Sequence, residues 1–341
     1  MKISLVTIGI FVAGFLAGGL IVFFVPLEGE VPHIHSHSIF TMSTERGGNY
    51  LFTSPLLDCE INEEGMLQVG IVPFGSKIEA VVDSLVSQGR ANSIAVYYRD
   101  LSNGPWFGVQ EEKAYLPASL LKVPVMIAYL KASEKDPAIL STQITFEKEA
   151  VAPDGGIQMI PPSKTLELGK QYTALELIEY SIIYSDNQAV QLLYENIDGE
   201  HIFDVYRRIG IDTMSIERPG AVLSPRDYAA FFRVLHNASY LSRENSERAL
   251  EILSRVEQKA GIVAGVPSNT LVAHKFGEAG SREELLQFHD CGIIYHPKRH
   301  YLLCVMSQGE EREPLIEAIA QISKAVWDEI DSQTREEEKS K

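Results

Sequence analysis

Ser119 and Lys122 stand three positions apart in the stretch "PASLLKVPV". If that stretch is helical, the two side chains are neighbours on one face. An amine beside a hydroxyl, in surroundings apolar enough to lower the amine's pKa, takes the hydroxyl's proton and leaves a nucleophile. The plain alternative is an ordinary helix start, with Ser119 as cap and Lys122 in water. Ser-x-x-Lys occurs readily by chance, so the rest of the chain must decide. Two further fragments bear on the question. "YSDNQA" sets Ser185, Asp186 and Asn187 after a long helical region, and "AHKFGE" sets Lys275 and Gly277 at the end of a strand. No serine lies in a Gly-x-Ser-x-Gly elbow, which makes a Ser-His-Asp triad the poorer arrangement.

The elements that must position these residues follow from periodicity. "KIEAVVDSLVSQGR" spaces Ile78, Val81, Val82 and Leu85 along one helical face and stops at Gly89. "SIAVYYRDLSNGPWFGVQ" is two strands joined through Asn103-Gly104, a hairpin signal. A helix then opens at Ser119 and runs towards Lys131, with Pro124 early, where a missing amide does least damage. Thr173 with Glu176, and Ser224 with Asp227, form capping boxes at the heads of two more helices. "VAHKF", "DCGIIY" and "YLLCVM" are strands, followed by a helix with Leu315, Ile319, Ile322, Val326 and Ile330 on one side. The expected fold is α/β (α+β): an antiparallel sheet from both ends of the chain, flanked by helices, with an all-helical lobe between.

The amino end is of another kind. From Ile3 to Leu27 the chain carries no charge, a run long enough to cross a bilayer. Lys2 lies before it, and Glu28 and Glu30 after it; positive-inside logic, resting on Lys2 and the amino terminus, puts the body outside the cytoplasm. A cleaved signal peptide is the rival, but its apolar core is usually shorter and no small-x-small site follows. The expected organisation is a membrane anchor over 1–30, a linker with a short β segment over 31–75, a catalytic domain over 76–330, and a frayed charged tail over 331–341. His33, His35 and His37 alternate in the linker, which suits a metal, though a linker that happens to hold histidines is the simpler account. The 341-residue chain has a net charge of −16, which argues against nucleic acid, and it has no Gly-rich phosphate loop. No cofactor and no metal are expected. Of the three cysteines, Cys291 and Cys304 fall opposite each other if Tyr295 pairs with His300. They form either a cross-strand disulfide or two buried thiols, the latter being the simpler expectation.

Taken in order and context, Ser119-Leu120-Leu121-Lys122, Ser185-Asp186-Asn187 and Lys275-Phe276-Gly277 resemble the three signatures of the class A β-lactamase and penicillin-binding protein superfamily. The resemblance runs from about Lys77 to about Ile330. It implies that Ser119 forms an acyl-enzyme with a lactam or peptide carbonyl and that Lys122 takes its proton. Ser185, helped by Lys275, passes a proton to the leaving nitrogen. Asn187 holds the substrate's amide side chain, and the backbone amides of Ser119 and Glu278 form the oxyanion hole. Asp186 is expected to hold its turn, and His274 and His289 to be edge or core residues without chemistry.

Two departures bear on function. Family members usually carry Thr or Ser after the third-motif lysine, where this chain has Phe276, and that hydroxyl helps to bind the substrate's carboxylate. Class A β-lactamases also carry a Glu-x-x-x-Asn loop whose glutamate activates the deacylating water. "IGIDTMSIERPGAVLSPRD" lacks that pattern: Glu217 is its only glutamate, and nothing follows it at the right spacing. The resemblance therefore implies a membrane-anchored serine hydrolase of β-lactamase type, acylated at Ser119 and slow to deacylate. The alternatives are a DD-peptidase or penicillin-binding protein, and a surface binding module that has kept the fold without turnover.

Overall fold

Gly75–Ser87 forms helix α1, burying Ile78, Val82 and Leu85, the face its spacing requires. Strands β1 (Ser93–Asp100) and β2 (Trp106–Val109) follow as an antiparallel hairpin. These coordinates are a computed structural model that describes residues 50–54, 74–102, 105–149, 160–211, 222–280 and 285–339. The apolar amino-terminal run, the three linker histidines, the Asn103-Gly104 turn and Glu217 lie outside the described residues. No helix among the described residues is long and apolar enough to cross a membrane.

The helical lobe is built around α2 (Lys122–Ser133), whose residues are buried almost without exception. A helix apolar on all sides belongs at the centre of a lobe. Around it lie α3 (Ala174–Ile183), α4 (Asn187–Glu195) and α5 (Gly199–Arg208). The Tyr129 hydroxyl of α2 donates to the Leu193 carbonyl of α4 at 2.9 Å. A short pair, β3 (Gln143–Thr145) with β4 (Gln171–Thr173), closes the lobe's far side. The Thr173–Glu176 and Ser224–Asp227 capping boxes are both formed, the second heading α6 (Pro225–His236). Helix α7 (Arg243–Ser254) follows.

The chain then returns to the sheet with β5 (Leu271–Ala279), β6 (Leu286–Tyr295) and β7 (His300–Gly309), and ends in α8 (Arg312–Lys339). The strand order is β2-β1-β7-β6-β5, antiparallel throughout. Directly opposed residues share a face of such a sheet. Lys275, Cys291, Cys304 and Tyr97 therefore make one row across four strands. That face meets α6 and α7, while α1 and α8 cover the other. Leu315, Ile319, Ile322, Val326 and Ile330 are all fully buried beneath α8.

Three expectations change. Tyr295 does pair with His300, and Cys291 and Cys304 are joined as a disulfide rather than left as thiols. The tail from Asp331 is not frayed: α8 continues to Lys339, with Thr334 buried and its hydroxyl donating to the Ile330 carbonyl at 2.9 Å. Residues 50–54 of the supposed linker lie against the domain and form no strand. Glu247 of α7 accepts the backbone N–H of Leu51, Phe52 (2.8 Å) and Thr53 (2.9 Å). Tyr295 donates to the Phe52 carbonyl at 3.1 Å.

Candidate active site

Ser119 lies in a single 3-10 turn, Ala118–Leu121, that leads into α2 one turn before Lys122. It is not the helix cap, since no side chain caps that turn. Ala118 is held at φ 48°, a left-handed conformation that costs an alanine about 1–2 kcal/mol. Such strain persists only where neighbours fix the chain. Here they do. Leu116 N–H donates to Gln287 Oε1 and its carbonyl accepts from His289 Nε2, both at 3.0 Å. The Ser307 N–H donates to His289 Nδ1 at 3.3 Å, so the ring is neutral with its proton on Nε2. Burial lowers the His289 pKa to about 4, which keeps that tautomer at any ordinary pH. His289 is thus a core histidine, as expected, but its role as a strut under the serine turn is not readable from the sequence.

The second group comes from a break between α3 and α4. Ser185 sits at φ 58°, and the Asp186 N–H donates back to the Tyr180 carbonyl at 3.2 Å. Asp186 then caps α4, accepting from the Ala189 N–H at 2.8 Å, so its part in the turn is structural. The left-handed residue turns the chain so that the Ser185 carbonyl and hydroxyl both face Lys122. Lys122 Nζ donates to Ser185 O (2.6 Å), Ser185 Oγ (3.1 Å) and Asn187 Oδ1 (2.7 Å). Those bonds use its three donors, and among the described residues none runs to Ser119 Oγ. From β5, Lys275 Nζ donates to Ser185 Oγ at 3.0 Å and to the Phe276 carbonyl at 2.9 Å. Ser185 Oγ is therefore shared by two buried lysines.

Two ammonium groups this close and this dry cannot both hold their usual pKa. Desolvation is the larger cause for each. Lys122 falls to about 7 in spite of Asp186 and Glu278, whose charges push the other way. Lys275 is lowered well below the ordinary lysine value, by burial and then by the Lys122 charge. Near neutrality Lys122 can exist as either amine or ammonium, and both lysines are placed to exchange a proton with Ser185 as its oxygen gains or loses charge.

Gly277 lets β5 approach the serine turn. A Cβ there would lie 2.8 Å from Pro117 O and 3.2 Å from Leu120 N, so no side chain fits. The residue after it, Glu278, uses its carboxylate to accept from the Ile160 N–H at 2.7 Å. Phe276 is turned into the core and buried, stacked on Phe288 at 6.2 Å between centroids. Its ring lies 3.9 Å from Lys275 Nζ. It offers an apolar surface to the ammonium and no hydroxyl to a substrate. Ser119, Lys122, Ser185, Asn187, Lys275, Gly277 and Glu278 thus lie on three elements that meet: the 118–121 turn with α2, the α3–α4 break, and the end of β5. Among the described residues no cluster of His, Cys, Asp or Glu could hold a metal ion.

The beta-lactamase enzyme family matches the chain over residues 74–330. The chain belongs to that family. A beta-lactamase of Bacteroides uniformis is 25% identical to it over 281 residues, spanning 74% of this chain and 91% of the relative. The carbapenem-hydrolyzing beta-lactamase KPC of Klebsiella oxytoca is 27% identical over 209 residues, 57% of this chain and 69% of its own. Among solved structures, PBP-A superposes with a TM-score of 0.65 at 24% identity, covering 77% of this chain and 98% of PBP-A. A PBP-A variant captured as an acyl-enzyme with penicillin G superposes at 0.64 with 22% identity, covering 78% of this chain and all of that one. At those identities the structural likeness shows the fold, and the β-lactamase family assignment rests on the sequence match.

Proposed function

We propose that this member of the beta-lactamase family is a serine hydrolase that is acylated at Ser119 by β-lactams or cell-wall-like peptides. The observation that carries the reading is the buried Lys122–Ser185–Lys275 chain set one turn from Ser119, a half-buried serine that directly follows the strained Ala118. Ser119 Oγ attacks the acyl carbonyl, and its proton passes to the Lys122 amine, directly or through a water. The carbonyl electrons collect on oxygen, facing the N–H groups of Ser119 and Glu278, donors worth about 3 kcal/mol each in such sites. The C–N bond then breaks, and the leaving nitrogen takes the Ser185 proton, which the lysines replace. Asn187, already bonded to Lys122, positions the substrate's amide.

Deacylation needs a base poised over the acyl carbon, and the Glu-x-x-x-Asn pattern that supplies it in class A enzymes is missing from the 209–227 stretch. Loss of a positioned base costs about 10²–10⁴ in rate, so a persistent acyl-enzyme is expected. The uncharged run over Ile3–Leu27 anchors the chain, with the body outside the cytoplasm. The Cys291–Cys304 disulfide supports that placement, since disulfides persist in oxidising compartments.

Mass spectrometry of the protein after brief exposure to a penicillin tests both steps. Ring opening expels no fragment, so the expected species is the protein plus the whole lactam mass, on Ser119, lasting through many minutes. Ser119→Ala should carry none. Equal labelling of that variant would sink the assignment of the nucleophile. Rapid steady-state hydrolysis without an accumulating adduct would show that some other group serves as the deacylating base.

A further inference from the structure

A second cavity, of about 230 Å³, opens on the sheet face beneath α6, lined from β1 by Tyr97 and Arg99 and from α6 by Arg226, Ala229, Ala230 and Arg233. Positions 226, 229, 230 and 233 fall on one helical face, since residues three and four apart are neighbours. Two alanines leave the space, an arginine closes it at either end, and Arg99 reaches it from the strand opposite. Gly210, at φ 81° just past the end of α5, forms part of the wall and adds no side chain.

The charges of this cavity run against those of the molecule. A chain of net charge −16 has acids to spare, yet among the described residues Arg99 and Arg233 have no ion-pair partner. Arg226 is neutralised by Glu112 at 2.7 Å and lies over the Trp106 ring at 5.2 Å. The acid at the rim, Asp227, is engaged in its capping box, accepting from Ser224 Oγ at 2.7 Å. Two guanidiniums are left on one small cavity, Arg99 half-buried and Arg233 exposed at its rim. Holding the Arg99 charge partly out of water beside a second unpaired cation is unfavourable unless an anion completes the arrangement.

We propose that this cavity is a binding site for a phosphate monoester. Guanidiniums are fork-shaped donors matched to oxyanions. A tetrahedral dianion accepts from the strand side and the helix side at once, and its two charges match Arg99 and Arg233. The cavity has room for a small polyol attached to the phosphate. The site is lined by α6 and the β1–β2 side of the sheet, whereas the serine site uses the end of β5, so occupancy of one does not require the other.

The test is calorimetric titration of the full-length chain in detergent, at fixed ionic strength, with glycerol phosphate, inorganic phosphate and malonate as probes. Glycerol phosphate should bind saturably at submillimolar concentration. R99Q with R233Q should weaken binding at least tenfold while leaving labelling of Ser119 intact. Ala230→Leu, which fills the cavity and removes no charge, should do the same and serves if the double variant fails to fold. Inorganic phosphate binding as tightly as glycerol phosphate would remove the polyol from the assignment and keep the oxyanion. No saturable binding up to 10 mM, equal affinity in wild type and variants, or tighter binding of malonate would each overturn the proposal.

Discussion

Lys122 can serve as a base near neutrality because its ammonium is costly to bury. Desolvation brings its pKa down to about 7, while Asp186 and Glu278 keep it from falling further. Only the neutral amine accepts the Ser119 proton, and that form predominates above the pKa. Acylation by a neutral lactam should therefore rise about tenfold per pH unit below about 7 and level off above it. Stopped-flow acylation rates across pH 5–9 check this. A profile flat through that range would mean that Lys122 does not take the proton. Asp186→Asn removes one of the charges that hold the pKa up, so the inflection should move to lower pH. Asparagine caps a helix about as well as aspartate, so little stability should be lost.

At the scale of elements, the site depends on two close approaches that no single segment encodes. The first is β5 against the serine turn, where Gly277 stands 2.8 Å from Pro117 O when given a Cβ. Gly277→Ala should push the strand off the turn and shift the N–H of Glu278. The expected result is a loss of about 1–3 kcal/mol in stability, typical of overpacking, and an acylation rate lower by at least tenfold. Thermal unfolding with acylation kinetics on one preparation measures both, and unchanged acylation would remove Glu278 N–H from the oxyanion hole. The second approach is the His289 strut beneath Leu116. Local signals such as the Thr173 and Ser224 boxes, or the register that opposes Cys291 to Cys304, were legible because they lie within a few residues or one hairpin. The Ser185 reversal, the 3-10 turn at Ser119 and the strut were not. Each is fixed by contacts between residues 63 to 173 positions apart, to which neither propensity nor period speaks.

Among the described residues, the domain is closed by the two ends of its own stretch of chain. The sheet takes β1 and β2 from before the lobe and β5 to β7 from after it, and α1 packs on α8. Residues 50–54 add a further tie that precedes the stretch matched by the family. Phe52 is buried edge-on against Tyr295, with ring centroids 5.4 Å apart. Glu247 holds the three N–H groups around it, and the Ser54 N–H donates to the His236 carbonyl at 2.7 Å. Burying a phenylalanine contributes about 2–3 kcal/mol. Hydrogen bonds to a carboxylate add about 1.5–3 kcal/mol each at most, against about 1–2 kcal/mol per residue to order this strap of residues 50–54. The net is about 2 kcal/mol. A chain beginning at residue 74 should then melt roughly 4–8 °C below one beginning at residue 50, at about 2–4 °C per kcal/mol for a domain of this size. Glu247→Ala in the longer chain should reproduce most of that loss, because it removes the acceptor of three bonds and leaves the rest of the domain untouched. Equal melting of the two chains would mean that the strap rests on the domain without holding it.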